Sequence, residues 1–254
     1  MYIHVLGINQ KLKIMKFLRF TGLALAAGFM LASCDNQGST VETTDAQDVA
    51  AGSGETLSIN SNASTVTWTG YKPAGKHYGT IAVKSGELTV DGNNVTGGRF
   101  IMDLTALEIE DLKDDRENYD KLYGHLQSGD FFDTQNHPEA TFEITSVEPY
   151  RSGDTVENKE EFESEYTPAS SSDQLVDNPT HWISGNLTMR GNTKNIKFPA
   201  TVTANNGTVA AKAGFNIDRT EWKVSYGDES GATNKAKDQF IYNTVNVGFE
   251  IQAD

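Results

Sequence analysis

The only cysteine of the chain, Cys34, has the surroundings that most clearly indicate chemistry. It follows the small residues Ala32-Ser33, and an apolar run, Leu23 to Met30, stands before them. Basic residues precede that run, so residues 1–33 have the three parts of a secretory signal. The run is shorter than the roughly 20 residues that a membrane-spanning helix needs. The pattern therefore predicts a removable signal that ends directly before a thiol.

A secretory signal that ends on small residues and then a cysteine resembles the lipobox of bacterial lipoproteins. In that family the cysteine sulfur is diacylated, the signal is cut before it, and the new N-terminus is acylated. The resemblance implies a lipoprotein of the cell envelope that is anchored in a membrane through acylated Cys34 and faces the periplasm or the cell exterior. Several acyl chains hold a protein stably, whereas one chain gives marginal binding. The alternative is an ordinary signal peptide with an incidental cysteine.

The charge of the chain excludes one class of partner. Loss of residues 1–33 removes four basic residues and no acidic residue from the net charge of −14, which leaves about −18. An acidic body repels phosphate backbones, so no nucleic-acid partner is expected. With Cys34 acylated, no cysteine remains for a disulfide, and the fold must rely on its core.

Neither a metal site nor a catalytic motif is predicted. The histidines at 77, 125, 137 and 181 share no spacing typical of a zinc-ligand pair. The chain has no Gly-x-Ser-x-Gly elbow, no glycine-rich phosphate loop and no His-Glu-x-x-His helix. Triads need not be contiguous in sequence, so this argues only weakly against catalysis. The expectation is a protein that is not an enzyme and holds no cofactor.

Three kinds of segment organise the rest of the chain. Residues 34–56 are small, polar and acidic, which is typical of a flexible tether. From residue 57 to 254, about eight apolar runs with a period of two are separated by Gly, Asn and Asp turns, which predicts an all-β antiparallel barrel. Residues 115–127 instead favour a short amphipathic helix near one end of the barrel. Residues 151–181 are acidic with few apolar side chains, which indicates a solvated insertion that the core does not need.

The domain resembles the YceI-like family of periplasmic lipid-binding proteins from about residue 64 to residue 250. Each sequence motif alone is weak evidence for the family, but the order and spacing of the motifs along the chain are specific. The pieces are Val66-Thr67-Trp68-Thr69-Gly70-Tyr71-Lys72, Gly75-Lys76-His77-Tyr78-Gly79, Gly97-Gly98-Arg99-Phe100, Leu122-Tyr123-Gly124-His125-Leu126, Asp130-Phe131-Phe132-Asp133, Ala140-Thr141-Phe142, Gly185-Asn186-Leu187-Thr188-Met189-Arg190-Gly191, Phe198-Pro199-Ala200 and Ile217-Asp218-Arg219-Thr220-Glu221-Trp222. The insertion at 151–181 and the lipid anchor depart from the family pattern.

The resemblance implies an eight-stranded, lipocalin-like antiparallel barrel with a long cavity for an isoprenoid or another amphiphilic chain. Large residues on inward parity could line such a cavity or simply fill a core, and small ones beside them at 70, 185, 200, 211 and 213 make room. His77 and His125 could donate or accept a hydrogen bond at a polar head group, or could instead cap a loop or form hydrogen bonds within the core. The ligand-binding candidates are Trp68, His77, Phe100, His125, Phe131, Phe142, Leu187, Phe215 and Trp222.

Other residues of the motifs have structural interpretations. An Asp218–Arg219 ion pair is expected to steady the end of a strand, and Phe131 and Phe132 are expected to plug one end of the barrel. The leading functional expectation is a membrane-anchored binding or carrier protein for a long apolar lipid such as a polyisoprenoid or an isoprenoid quinone. The alternatives are an interaction or stress-response lipoprotein with a filled barrel, and a hydrolase that acts on a lipid.

Overall fold

A closed antiparallel barrel of eight strands forms the body of the computed structural model, which describes residues 41–205, 207–235 and 239–254. The barrel strands follow one another around the wall, and β10 closes it by pairing with both β9 and β3. They are β3 Thr65–Lys72, β4 Gly75–Asp91, β5 Asn94–Ile109, β6 Glu139–Pro149, β7 His181–Met189, β8 Asn192–Asn205, β9 Thr208–Asp218 and β10 Thr244–Ala253. The predicted eight-stranded, lipocalin-like antiparallel barrel is confirmed.

Two additional short strands, β1 Glu42–Asp45 and β2 Glu55–Ser58, lie in or begin within the predicted tether of residues 34–56. The prediction of a flexible tether is therefore wrong for these two stretches. β9 pairs with β8 only from Ala200 onward, and β1 covers the earlier stretch of β8. In the same way, β2 covers the end of β4 that extends beyond β3. An open strand edge has unpaired backbone N–H and C=O groups. The backbones of β1 and β2 form hydrogen bonds with these groups on β8 and β4. Residues 34–40, with Cys34, lie outside the described residues.

The predicted helix is present as α1, Arg116–Gln127, with Asp115 as its N-cap: the Asp115 side chain accepts a hydrogen bond from the backbone N–H of Asn118. Leu126 is buried against the barrel, and Gln127 Nε2 donates to the carbonyl of Leu104 in β5 at 2.8 Å. Phe131 and Phe132 follow in the next turn. This side of the molecule is called the α1 end. No helix within the described ranges has the length and apolarity to cross a bilayer.

The insertion at 151–181 is not the solvated loop that its composition predicts. Residues 159–174, here called the strap, lie against the outer side of the barrel and include the short helix α2, Ser171–Gln174. The Tyr242 hydroxyl lies 2.5 Å from the carbonyl oxygen of Phe162, and the side chains of Asn216 and Asn246 donate to the carbonyl of Ala169 at 3.0 and 3.1 Å.

The strap also has a small apolar cluster of its own, which explains why its few apolar residues suffice. Phe162 and Tyr166 pack against Tyr71, Phe240 and Tyr242, which are buried on the outer side of the wall. Only two apolar side chains of the strap, Phe162 and Tyr166, are therefore needed to pack it against the barrel. The prediction of a solvated segment is therefore wrong for residues 159–174.

Candidate functional site

An apolar cavity of about 160 Å³ lies inside the barrel toward the α1 end. All eight barrel strands contribute inward-facing residues to the lining: β4 contributes Ile81 alone, and each of the other seven contributes two or more residues. Leu126, Phe131 and Phe132 line the cavity from the α1 end. Since apolar cavities of about 150 Å³ stay dry and take a ligand such as benzene, this space can hold an apolar group of similar size.

A layer of five phenylalanine rings bounds the cavity in the middle of the barrel. One ring comes from each of five strands, and the rings pack at centroid distances from 4.2 to 6.1 Å. The layer consists of Phe100, Phe142, Phe198, Phe215 and Phe249. Beyond it is a second apolar void of about 30 Å³, and Phe100, Phe142 and Phe249 line both spaces. The aromatic layer therefore separates two apolar spaces within one barrel.

Gly185 explains how one of these rings is seated. A Cβ at Gly185 would lie 2.2 Å from Cζ of Phe142 and under 3 Å from two further ring atoms. The ring of Phe142 in β6 therefore lies over the bare backbone of β7. Glycine at this position lets the ring lie close to the wall, which is the close approach that a glycine inside a strand often marks.

Six of the nine ligand-binding candidates line the 160 Å³ cavity: Trp68, Phe100, Phe131, Phe142, Leu187 and Phe215. Of the small residues, Gly70 lines the same cavity, while Ala200 and Ala211 line the smaller void. An added Cβ at Gly70 would meet no atom within 4 Å, so this position faces free space. Ala213 is buried but lines neither space.

Neither histidine lies in the lining. His77 Nδ1 is 2.7 Å from Oδ2 of Asp111, and the other oxygen of Asp111 accepts the backbone N–H of Tyr78. These contacts fix the start of β4 to the 3-10 turn that follows β5. His125 Nε2 is 3.1 Å from Oδ2 of Asp130, and its ring meets Phe131 edge-on at 4.9 Å. His77 therefore lies outside the cavity lining, and its role at a head group stays a prediction, whereas His125 lies directly behind a lining residue.

Trp222 is also outside the cavity lining. Its side chain is completely buried, and its indole N–H donates to the carbonyl of Leu187 at 2.9 Å. The chain leaves the strand at Arg219–Trp222, which is a 3-10 helix, so strand parity no longer applies to Trp222. Its role in the structure is to fix the end of β7.

Arg219 was missed by sequence reasoning as a cavity residue, because an ion pair with Asp218 was expected. The described residues contain no such pair: Asp218 Oδ1 instead accepts hydrogen bonds from the N–H and the hydroxyl of Thr220. Arg219 is buried in the cavity lining, and its three nitrogens donate to the carbonyls of Tyr242, Val224 and Ile241 at 3.1, 2.5 and 3.0 Å. Burial lowers the pKa of the guanidinium. This arginine holds the loop around the cavity through three carbonyls.

The described residues hold no cluster of three or more His, Cys, Asp or Glu side chains that could bind a metal ion. What the geometry defines is an eight-stranded antiparallel barrel with an apolar space inside it, an architecture whose interior is either filled by side chains or holds one small ligand. The family model for the YceI-like domain matches residues 57–253. The chain belongs to the YceI-like family.

Individual relatives agree with this assignment. The chain is similar to a UPF0312 protein of Shewanella sp. (strain ANA-3), with 33% identity over 72 residues that cover 28% of this chain and 35% of that protein. The match thus spans about a third of the length of that curated relative. Among solved structures, Burkholderia cenocepacia BcnA has a TM-score of 0.50 at 16% identity, covering 77% of this chain and 99% of that one.

A second solved structure is a polyisoprenoid binding domain from Saccharophagus degradans, described as implicated in plant cell wall breakdown. It has a TM-score of 0.50 at 17% identity and covers 82% of this chain and 99% of its own. At these identities the two structures establish a shared fold.

Proposed function

We propose that this protein binds the apolar chain of an isoprenoid lipid inside its barrel and carries it in the cell envelope. The observation that supports this most directly is the apolar cavity of about 160 Å³ inside the barrel. Each methylene that leaves water contributes about 0.8 kcal/mol, so one isoprene unit of five carbons contributes about 4 kcal/mol before ordering costs. That corresponds to millimolar affinity, so a longer chain binds more tightly only if it occupies more space.

The aromatic layer determines how much of a chain the barrel accepts. The cavity on the α1 side is of the size that takes one ring or about one isoprene unit. A longer chain reaches the 30 Å³ void only when rings of the layer turn aside. The length of the bound chain is therefore a property that the experiment must measure.

The test is to purify the protein in mild detergent, extract it with organic solvent and identify what is released by mass spectrometry. We expect a lipid with an isoprenoid chain in wild type and its loss in Gly70→Leu, which places a side chain in the free space beside Trp68. Gly124→Leu is the matched control, because Gly124 in α1 also has nothing within 4 Å but does not line the cavity. Equal lipid recovery from all three proteins would contradict the proposal. No lipid in any of them would favour the interaction lipoprotein with a filled barrel.

We also propose that acylated Cys34 holds the protein at a membrane of the cell envelope. The support is the signal-like segment that ends on Ala32-Ser33 before the only cysteine. Cys34→Ala should abolish labelling by a radioactive fatty acid and release the protein from membranes or leave it unprocessed. Cys34→Ala protein that still incorporates the fatty acid would refute this assignment.

A further inference from the structure

One polar group inside the barrel has no partner. Trp68 lines the 160 Å³ cavity, and its indole Nε1 is buried without a hydrogen-bond acceptor anywhere in the part of the chain that the structure describes. The indole N–H can only donate. A buried donor that stays unpaired costs about 1–3 kcal/mol, so native proteins rarely leave one without a reason.

The other two tryptophans of the chain show what a satisfied indole looks like here. Trp182 Nε1 donates to Asp154 Oδ2 at 2.8 Å on the outer side of the barrel, and Trp222 Nε1 donates to the carbonyl of Leu187 at 2.9 Å. Only the indole that lines the cavity lacks an acceptor within the described ranges.

The charge of the lining indicates which acceptor is suited to this donor. Arg219 is the only charged residue among the described residues of the lining, and three of its five N–H groups already donate to backbone carbonyls. Among the described residues, the lining has no second cation that could face an anionic group. The surroundings of Trp68, Val66, Ile81 and Val247 among them, are apolar, and a neutral oxygen is much cheaper to bury there than a charged one.

We propose that Trp68 Nε1 is the head-group site of the cavity, and that the ligand is an isoprenoid that carries a neutral hydrogen-bond acceptor, such as a carbonyl, ether or hydroxyl oxygen. The proposal rests on the proposed function, since it assigns the polar end of the same ligand. It replaces the histidines as the polar contact, because His77 and His125 lie outside the lining.

The test uses two probes that differ only in whether a carbonyl oxygen is present. Methylheptenone combines one isoprene unit with a methyl ketone, and its hydrocarbon analogue has a methylidene group in place of the carbonyl oxygen. Each is titrated into the purified full-length protein labelled with nitrogen-15 on its indoles, in the millimolar range. The three indole N–H resonances are assigned with Trp68→Phe and Trp182→Phe.

We expect the ketone to move the Trp68 proton resonance downfield, as a new hydrogen bond does, and the hydrocarbon to leave it nearly unchanged. The resonances of Trp182 and Trp222 should respond to neither probe. In Trp68→Phe, the preference for ketone over hydrocarbon should fall about three- to tenfold, the range of one hydrogen bond. Trp182→Phe is the control and should keep the preference of wild type.

The possible results separate the two proposals. If both probes bind but the preference is the same in Trp68→Phe as in wild type, the head-group assignment is wrong and the binding function stands. If neither probe binds, the proposed function fails and the head-group assignment falls with it. If a carboxylate of the same skeleton binds more tightly than the ketone, the ligand is anionic and the proposal of a neutral acceptor is overturned. The resonance shift is measured on wild type, so the test does not depend on the folding of a variant.

Discussion

Replacing Gly185 with alanine tests whether the aromatic layer is packed as tightly as the structure indicates. The added methyl carbon would lie 2.2 Å from Cζ of Phe142, well inside van der Waals contact. The ring cannot simply move away, because Phe142 is 4% exposed and its ring lies 5.3 Å from that of Phe100 and 5.7 Å from that of Phe198. Overpacking of this kind typically costs about 1–3 kcal/mol.

Part of this cost is offset, because glycine inside a strand is itself less stable than alanine by about 0.5–1 kcal/mol. We expect Gly185→Ala to lower the free energy of unfolding by about 1–2 kcal/mol, which for a domain of this size lowers Tm by roughly 2–8 °C. Urea unfolding followed by circular dichroism measures the free energy, and a thermal scan measures Tm.

Gly124→Ala is the control, since the same change in α1 meets open space and should raise the free energy of unfolding by up to about 1 kcal/mol. Phe142→Leu should relieve the clash, so the double variant Gly185→Ala/Phe142→Leu should be more stable than the sum of the single changes by about 1 kcal/mol or more. A Gly185→Ala protein as stable as wild type, with additive effects in the double variant, would refute the tight seating of Phe142.

Two further predictions concern the strap. Phe162→Ala should lower the free energy of unfolding by about 1–3 kcal/mol, because the ring packs on Phe240 at 6.2 Å in a small buried cluster. The control is Tyr78→Ala, at a residue 43% exposed, which should change the free energy by under about 0.5 kcal/mol. Equal effects of the two changes would show that the strap adds no packing. Burial raises the pKa of Glu161, so the fold favours its protonated form and loses stability as the pH rises above the ordinary glutamate pKa. The gain in unfolding free energy from Glu161→Gln should therefore be larger at about pH 7 than at about pH 4 in urea titrations, and a gain independent of pH would contradict this.

The barrel could be predicted from sequence because its determinants are local. Alternation with a period of two placed Trp68, Phe100 and Phe142 on the inner side, and the turn at Arg190-Gly191 allowed a tight hairpin, since both residues take positive φ angles of 51° and 69°. The start of α1 is also determined locally, because the cap at Asp115 needs only one side chain and the backbone N–H three residues later.

The strap and the first strands could not be predicted, because their contacts join positions far apart in the sequence. The Tyr242 hydroxyl meets the carbonyl of Phe162 across 80 residues, and the backbone N–H of Gln47 meets the Asn186 side chain across 139. Neither segment has an apolar period that would reveal its partner. Both segments have the composition of solvated chain, although backbone hydrogen bonds and, in the strap, two aromatic side chains hold them against the barrel.

The position of the histidines outside the cavity lining could not be predicted for a related reason. His77 pairs with Asp111 at a separation of 34 residues, and that carboxylate could not be matched to it from sequence. The unpaired Trp68 N–H could not be found from sequence either, because an absent partner is visible only when every neighbour is placed. Inward parity identified Trp68 as a lining residue, but its chemistry depends on what surrounds it.

The strap and the cavity are connected through three consecutive residues, Phe240, Ile241 and Tyr242. Phe240 and Tyr242 lie under the strap on the outer side of the wall, while Ile241 lines the cavity. From the inner side, Arg219 donates to the carbonyls of Ile241 and Tyr242.

This segment is thus held from both sides, by the aromatic contacts of the strap and by a buried guanidinium. A change that loosens the strap frees the outer contacts of Phe240 and Tyr242, so it also loosens the backbone carbonyls that satisfy Arg219. Because a buried arginine without acceptors is costly, we expect a change that weakens the strap to destabilise this part of the cavity wall as well. The insertion that interrupts the family pattern is therefore a structural part of the barrel, and we expect its loss to reduce both stability and retention of the proposed ligand.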